Sequence, residues 1–329
     1  MIFDSESVFE DNVITVLKQH GWKDGVLRYP TEQDLLDNWK GILYRNNNDI
    51  DRLGKYPLTD GEMAQIIEQI ETLRTPLALN SFVNGRTVSI TRDNKEDVAH
   101  FGKEISLYIY DRKEIAGGKS TYQIAQQPVY PAKNKMLNSR RGDLVLLING
   151  MPLIHIELKR SGIPVSQATN QIEKYTHEGV FTGLFRLVQI FVAMNPDDAV
   201  YFANPGVDKF NPSYYFHWAD YNNEPICGGQ NPGKDEWKLF IGGTSGTAGL
   251  LSIPMAHQLI GFYTIADSAD GCLKVLRSYQ YIAANAISDV VRKCDWEQRP
   301  TTPGRPGGYV WHTTGSGKTM TSFKSAQLI

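Results

Sequence analysis

Between Gly142 and Lys159 the chain reads GDLVLLINGMPLIHIELK, two apolar runs on either side of Asn149-Gly150, a pattern that specifies adjacent β-strands joined at a tight turn. Charge is confined to the ends: Asp143 opens the first run, and Glu157 and Lys159 close the second. Glu157 and Lys159 are two residues apart, so their side chains leave the same face of the sheet. Asp143 is harder to place. With an unbulged two-residue turn it would sit opposite Ile156, and Asp143 and Glu157 would then point to opposite faces. For the two carboxylates to share a pocket, the connection needs an odd number of loop residues or a β-bulge.

Those residue types suit one chemistry in particular. Metal-assisted phosphodiester cleavage needs hard carboxylate oxygens to hold Mg²⁺ and a neighbouring cation to orient or activate the attacking water. Asp143 and Glu157 supply the first, and Lys159 the second. Downstream, in SQATNQIEKYTHEG, Gln167, Gln171 and Tyr175 recur every four residues and share one helix face. His155 lies on the side of Glu157 among apolar residues and reads as a packed core histidine. Lys133, Lys135, Arg140, Arg141 and Arg160 flank the site as a solvated charge run able to meet phosphates.

Around this centre the chain is organised as helix, strands, helix, strand. Ser5 to His20 has a helical spacing of Val8, Val13, Ile14 and Leu17 and stops at Gly21. Residues 30–80 carry further helical patterning around LLDNWKGIL and MAQIIEQIETL, as an insertion or cover. From Val88 the runs TVSITR, EISLYIYD and TYQIAQQPVY join the central pair and LVQIFVAMN in an expected mixed sheet. Residues 203–250, rich in Asn, Pro, Gly and aromatics, read as loops, with SYYFHW as a packed segment. Helical patterning returns at PMAHQLIGFYTI and LKVLRSYQYIAANAISDVVRK.

The last stretch, GGYVWHTTGSGKTMTSFKSAQLI, reads as strand, glycine loop and helix. Backbone amides at such a helix start favour phosphate oxygens. Lys318 would reach the β- and γ-phosphates of ATP, and Thr319 would take a Mg²⁺ position, with Gly315, Ser316 and Gly317 forming the loop. A strict phosphate loop has glycine at position 312, where this chain has histidine.

Composition narrows the rest. A chain of 329 residues exceeds what one core usually serves, so two domains, or one domain plus a fragment, are expected, with bounds 1–250 and 251–329. The net charge of -2 argues against coating of nucleic acid by bulk charge and leaves room for a local basic groove. Cys227, Cys272 and Cys294 are widely spaced and fit neither a disulfide framework nor a zinc site, and read as buried thiols. No run is apolar enough for a membrane span, and no secretory signal opens the sequence, so a cytoplasmic location is expected.

With these residues in place, two resemblances become specific. RGDLVLLINGMPLIHIELKRSG resembles the PD-(D/E)xK nuclease core, with Gly142 in place of the proline, and QIEKY resembles the Q-x-x-x-Y element of RecB-type nucleases and type I restriction R (HsdR) subunits. Thr313, Gly315, Gly317, Lys318 and Thr319 match the helicase form T-x-G-x-G-K-T, and RSYQYIAANAI resembles the preceding superfamily-two element, where Gln280 would read the adenine edge beside Arg277 and Tyr279.

Nuclease before motor is the order of type I R subunits. The resemblance implies an α/β (α+β) fold: a restriction-endonuclease-like mixed sheet flanked by helices, then the first part of a RecA-like P-loop motor domain, truncated after the phosphate-loop helix. It implies Asp143 and Glu157 as Mg²⁺ ligands with Glu10, or secondarily Glu6, from the first helix. Lys159 would position the water or stabilise phosphate charge, and Gln171 and Tyr175 would orient the DNA backbone or active-site groups. It further implies ATP, double-stranded DNA cut far from the recognition sequence after translocation, and modification (M) and specificity (S) partner subunits. Without an acidic strand after the phosphate loop and without a second motor lobe, the chain alone is not expected to turn over ATP efficiently. The alternatives are a RecB-like repair nuclease-helicase, whose motif order is usually the reverse, and a DNA-binding platform with an inactive nuclease.

Overall fold

A computed structural model describes residues 2–115, 118–131, 140–207, 209–229, 235–293 and 308–329. Helix α1 (Glu6–Gln19) starts where the Ser5 hydroxyl accepts from the Val8 N–H, and it turns Phe9, Glu10, Val13, Ile14 and Leu17 inward. The three-residue strand β1 (Val26–Arg28) follows, then α2 (Glu32–Asn46), α3 (Asp60–Thr72) and α4 (Pro76–Asn84). Each of these helices is capped by a threonine, and Thr31 with Asp34 and Thr59 with Glu62 close full capping boxes. Residues 30–80 are thus largely helical, in keeping with their apolar spacing.

Strands β2 (Thr87–Thr91) and β3 (Glu104–Tyr108) form a ribbon of their own. The expectation of one mixed sheet running from Val88 onward is corrected here. Side chains of α3 and of the segment that follows α2 occupy the places where further strands would pair. Gln65 exchanges hydrogen bonds with the Thr91 N–H (2.7 Å) and carbonyl (2.9 Å), and Gln69 donates to the Ser89 carbonyl. On the other strand Asn47 brackets Tyr108, accepting from its N–H and donating to its carbonyl, and Arg52 donates to the Ser106 carbonyl.

The main sheet has six strands in the order β1-β4-β5-β6-β7-β8, with β4 (Tyr122–Gln126), β5 (Leu144–Ile148), β6 (Met151–Leu158), β7 (Ile190–Met194) and β8 (Ala199–Ala203). β1–β4 and β6–β7 are parallel, and the remaining pairs antiparallel. Every residue of β4 to β8 is buried, as continuous apolar runs covered on both faces should be. Helix α5 (Val165–His177) makes the crossover that parallel β6 and β7 require. Its Ala168 and Ile172 pack with Phe191 and Ala193, the register partners of His155 and Glu157. Ile154 and Ile156 alternate to the other face and join the larger core with Phe9, Leu17 and Trp237.

The stretch 203–250, read as loops, contains helix α6 (Glu236–Gly242), whose Trp237 meets Phe3 and Phe9 edge-on. Then come α7 (Met255–Phe262), the hairpin β9 (Thr264–Asp267) and β10 (Cys272–Val275), α8 (Ser278–Lys293) and α9 (Lys318–Leu328). Helical patterning from Leu273 holds only from Ser278. Asp270-Gly271 turns the chain back instead, and Lys274 pairs with Asp267 and Asp270 across that turn. The expected strand at GGYVW is absent from the described residues 308–312: a strand needs a ladder partner, none of the described residues pairs with it, and Tyr309 and Trp311 are largely exposed. Cys227 is buried, Cys272 is half-buried and Cys294 lies outside the described residues. Among the described residues no helix is long and apolar enough to cross a membrane.

Candidate active site and nucleotide loop

The turn between β5 and β6 decides whether the carboxylates meet. Asn149 and Gly150 both have positive φ, 53° and 83°, the two-residue form whose twist matches a hairpin. Ile148 faces Met151 and Leu147 faces Pro152, but Leu146 then faces Ile154, so Leu153 is a bulge. The Gln189 N–H satisfies its carbonyl at 2.9 Å. Beyond it Leu144 faces Ile156, and by that register Asp143 stands opposite Glu157. The bulge demanded by the sequence is present.

Asp143 accepts from the Leu158 N–H at 2.7 Å. Glu157 is fully buried, and neither of its carboxylate oxygens has a hydrogen-bond partner. The Lys159 ammonium stands 3.5 Å from Glu157 Oε1 and 3.5 Å from Glu6 Oε1, and donates to the Leu158 carbonyl at 2.8 Å. Burial pushes Glu157 up to about 8, with Lys159 pulling it down. Asp143 is raised well above the usual carboxylate range by burial and then by Glu157, against the Leu158 N–H and Lys159. Two adjacent carboxyls in a dry pocket cannot both be charged cheaply unless a cation joins them.

Glu10 is buried beside this pair, accepting from Gln126 at 2.7 Å and Gln127 at 3.3 Å. Burial raises its carboxyl, with those amides opposing, and its charge contributes to the rise at Asp143. Gln171 donates to the Tyr175 hydroxyl (2.6 Å), which donates to the Arg141 carbonyl (2.9 Å), so this pair holds the backbone entering Asp143. Of the flanking cations, Arg140 is committed to Glu178 through two 2.9 Å bonds. Arg141 lies over the Tyr29 ring, Arg160 is exposed, and Lys133 and Lys135 fall outside the described residues.

His155 is more than a filler of the core. Its Nδ1 is 2.9 Å from the Tyr130 hydroxyl and its Nε2 is 3.3 Å from Glu157 Oε2, unpartnered otherwise. Burial holds the ring down to about 4, so it is neutral. The available signals in the sequence were its position two residues before Glu157, on the same face, and the small Gly142 before Asp143.

Three buried polar atoms that make no hydrogen bond, Oε1 and Oε2 of Glu157 and Nε2 of His155, therefore lie together, with Nε2 3.3 Å from Oε2 and the Lys159 ammonium 3.5 Å from Oε1. Among the described residues no group of three or more His, Cys, Asp or Glu side chains is arranged to hold a metal. Mg²⁺ does not require one: it binds through one or two carboxylates and fills its octahedron with water and phosphate oxygens. The Asp143–Glu157 pair fits that demand.

At the other motif, Gly315 and Gly317 have φ near 79° and 78°, and α9 begins at Lys318 with no side chain capping it. Lys318 is exposed and donates to the Thr313 carbonyl (3.2 Å); Thr319 is exposed. Ser316 Oγ donates to the same carbonyl. Gln280 is buried, donating to the Ser316 and Gly317 carbonyls and accepting from the Arg277 N–H, so its amide is engaged with the loop. Tyr279 also donates to Ser316. A cavity of about 230 Å³ opens beside these groups, lined by Phe216, Arg277, Gln280 and Gly315 to Gly317.

A family model described as type I restriction enzyme R protein N terminus matches residues 4–210. The chain belongs to that family. A second model, SWI2/SNF2 ATPase, matches residues 279–329, which hold Gln280 and the glycine loop. Among restriction-enzyme relatives, the SsaAORF53P endonuclease subunit of Staphylococcus saprophyticus is 31% identical over 337 residues, covering the whole chain and 30% of the relative. The SauCOLORF180P endonuclease subunit of Staphylococcus aureus is 32% identical over 331 residues, covering the whole chain and 31% of the relative. The EcoprrI endonuclease subunit of Escherichia coli is 26% identical, covering 95% of the chain and 99% of that sequence. The chain spans about a third of the length of the two staphylococcal relatives.

Proposed function

We propose that this R-family chain carries the phosphodiester-cleaving site and the ATP-binding loop of a type I restriction endonuclease subunit. It acts on double-stranded DNA in the cytoplasm, with modification and specificity subunits, and cuts away from the recognition sequence after ATP-driven translocation. The observation that supports the reading is the Leu153 bulge, which sets Asp143 opposite a Glu157 whose buried oxygens have no hydrogen-bond partner.

In this reading Asp143 and Glu157 hold Mg²⁺ with Glu10 at the margin. Bound there, the ion supplies Lewis-acid stabilisation of the phosphate and lowers the pKa of the attacking water. Lys159, against Glu157 Oε1, orients that water or offsets charge growing on the phosphate. The Leu158 N–H fixes Asp143, and Gln171 and Tyr175 fix the strand that bears it. In the motor segment Gly315, Ser316 and Gly317 offer amides to phosphates, Lys318 reaches the β- and γ-phosphates, Thr319 takes a metal position and Gln280 faces the base. Gln280 and Lys318 exchange their present carbonyl partners for nucleotide.

The test is made on the assembled complex. Asp143→Ala, Glu157→Ala and Lys159→Ala should each lower plasmid cleavage by about 10²-fold or more while ATP-driven movement along DNA persists. Loss of movement together with cleavage would make the three residues structural and overturn the reading.

A further inference from the structure

The proline expected before Asp143 in the nuclease motif is Gly142, and the structure gives the reason. A Cβ at Gly142 would collide with the Tyr130 hydroxyl and approach His155 Cε1 at 2.9 Å, so the volume is already taken by this pair. Both rings are buried, and His155 is walled edge-on by Phe181, Phe191 and Tyr175. The imidazole therefore has little freedom to turn.

Its tautomer follows from the partners. A phenol hydroxyl has one hydrogen to give, and among the described residues that of Tyr130 has one acceptor, His155 Nδ1 at 2.9 Å. A neutral imidazole accepting at Nδ1 carries its hydrogen at Nε2. That N–H faces Glu157 Oε2 at 3.3 Å, longer than a good hydrogen bond; such contacts commonly tighten in the working complex. The opposite tautomer would leave the hydroxyl hydrogen without an acceptor and, once a cation holds Glu157 ionised, would set a lone pair against the carboxylate.

We propose that Tyr130 and His155 are positioning residues for DNA cleavage: the Tyr130 hydroxyl fixes the imidazole, and His155 Nε2–H holds Glu157 Oε2 so that Oε1 is left for the cation beside Lys159. The inference rests on the nuclease reading above. Support of this kind behind a metal-ligating group typically changes metal affinity or activity by 10- to 100-fold.

The experiment uses the assembled complex, with cleavage titrated against Mg²⁺ and melting followed in parallel. His155→Phe should raise by about 10- to 100-fold both the Mg²⁺ concentration for half-maximal cleavage and that for the Mg²⁺-dependent rise in melting temperature of the ATP-free complex, with ATP hydrolysis unchanged. His155→Gln, whose amide N–H reaches the Nε2 position, should recover most of the loss, whereas His155→Asn, which reaches only toward Tyr130, should not. Tyr130→Phe should shift the titration in the same direction by less than His155→Phe. An unaltered Mg²⁺ titration in His155→Phe overturns the proposal, and so does equal impairment of the Gln and Asn variants. If His155→Phe does not fold, the Gln and Asn comparison decides. Glu157→Gln separates the two levels: normal cleavage by it would sink the nuclease reading, while its inactivity alongside an unaffected His155→Phe would sink only the positioning role.

Discussion

Lys318, to which the proposed function gives the phosphate contact, has no rigid support. It is exposed, and its ammonium donates only to the Thr313 carbonyl among the described residues. Little folding energy is therefore at stake in its removal. Lys318→Ala should lower ATP hydrolysis by the assembled complex by about 10²-fold or more, with melting unchanged; normal turnover would remove the phosphate role. At this scale the sequence made placement legible where local spacing decides it: Glu157 and Lys159 come together at the end of β6, and Gly315 to Gly317 lead into α9 at Lys318. It was not legible where a role depends on a distant neighbour. Nothing in PLIHIEL announces that Tyr130, 25 residues earlier, meets His155, or that Gln126 and Gln127 meet Glu10. Arg140 likewise reads as a free cation until the fold brings Glu178 to it.

The hairpin β5–β6 is the element on which the site depends, and its turn is under specific demand. Gly150 has a φ of 83°, and a Cβ there would press on the Trp39 backbone at 2.8 Å. Gly150→Ala should therefore cost at least 1–2 kcal/mol, roughly the left-handed penalty for a residue with a side chain, measured as a lowered urea midpoint. A change within a few tenths would mean the turn relaxes freely. Elements with local signals were readable: α1 from its Ser5 cap and apolar spacing, the hairpin from Asn-Gly, the need for a bulge from parity alone. Elements defined by partners were not. β1 is three residues long and exists because β4 lies beside it, whereas GGYVW has strand composition and no described partner.

Across the whole molecule, the last helix is tied to the β9–β10 hairpin by a buried cation. Lys324 donates to the Thr264 carbonyl (3.1 Å) and to Gln327, and burial, with Arg112 adding repulsion, holds its ammonium down to about 8. The folded state thus binds this proton less tightly than the unfolded chain, whose lysine titrates near 10.4. Between those values the unfolded state holds more protons, so stability rises with pH through the window, and below about pH 8 the penalty is present in full. In urea melts of the 329-residue chain, wild type should gain on Lys324→Met by roughly 3 kcal/mol between pH 7 and pH 10.5. A pH-independent difference would show that the ammonium is solvated.

The ribbon of β2 and β3, set apart from the main sheet, has its own consequence for the molecule as a solute. The amides of Gln65 and Gln69 on one margin, and Asn47 with Arg52 on the other, stand in for the strands that a bare ribbon would recruit. A protein crowded among copies of itself is most vulnerable to fibrous stacking at such margins. Here α3 and the turn after α2 present a decoy, already hydrogen-bonded, and a neighbouring chain finds less backbone left to grip.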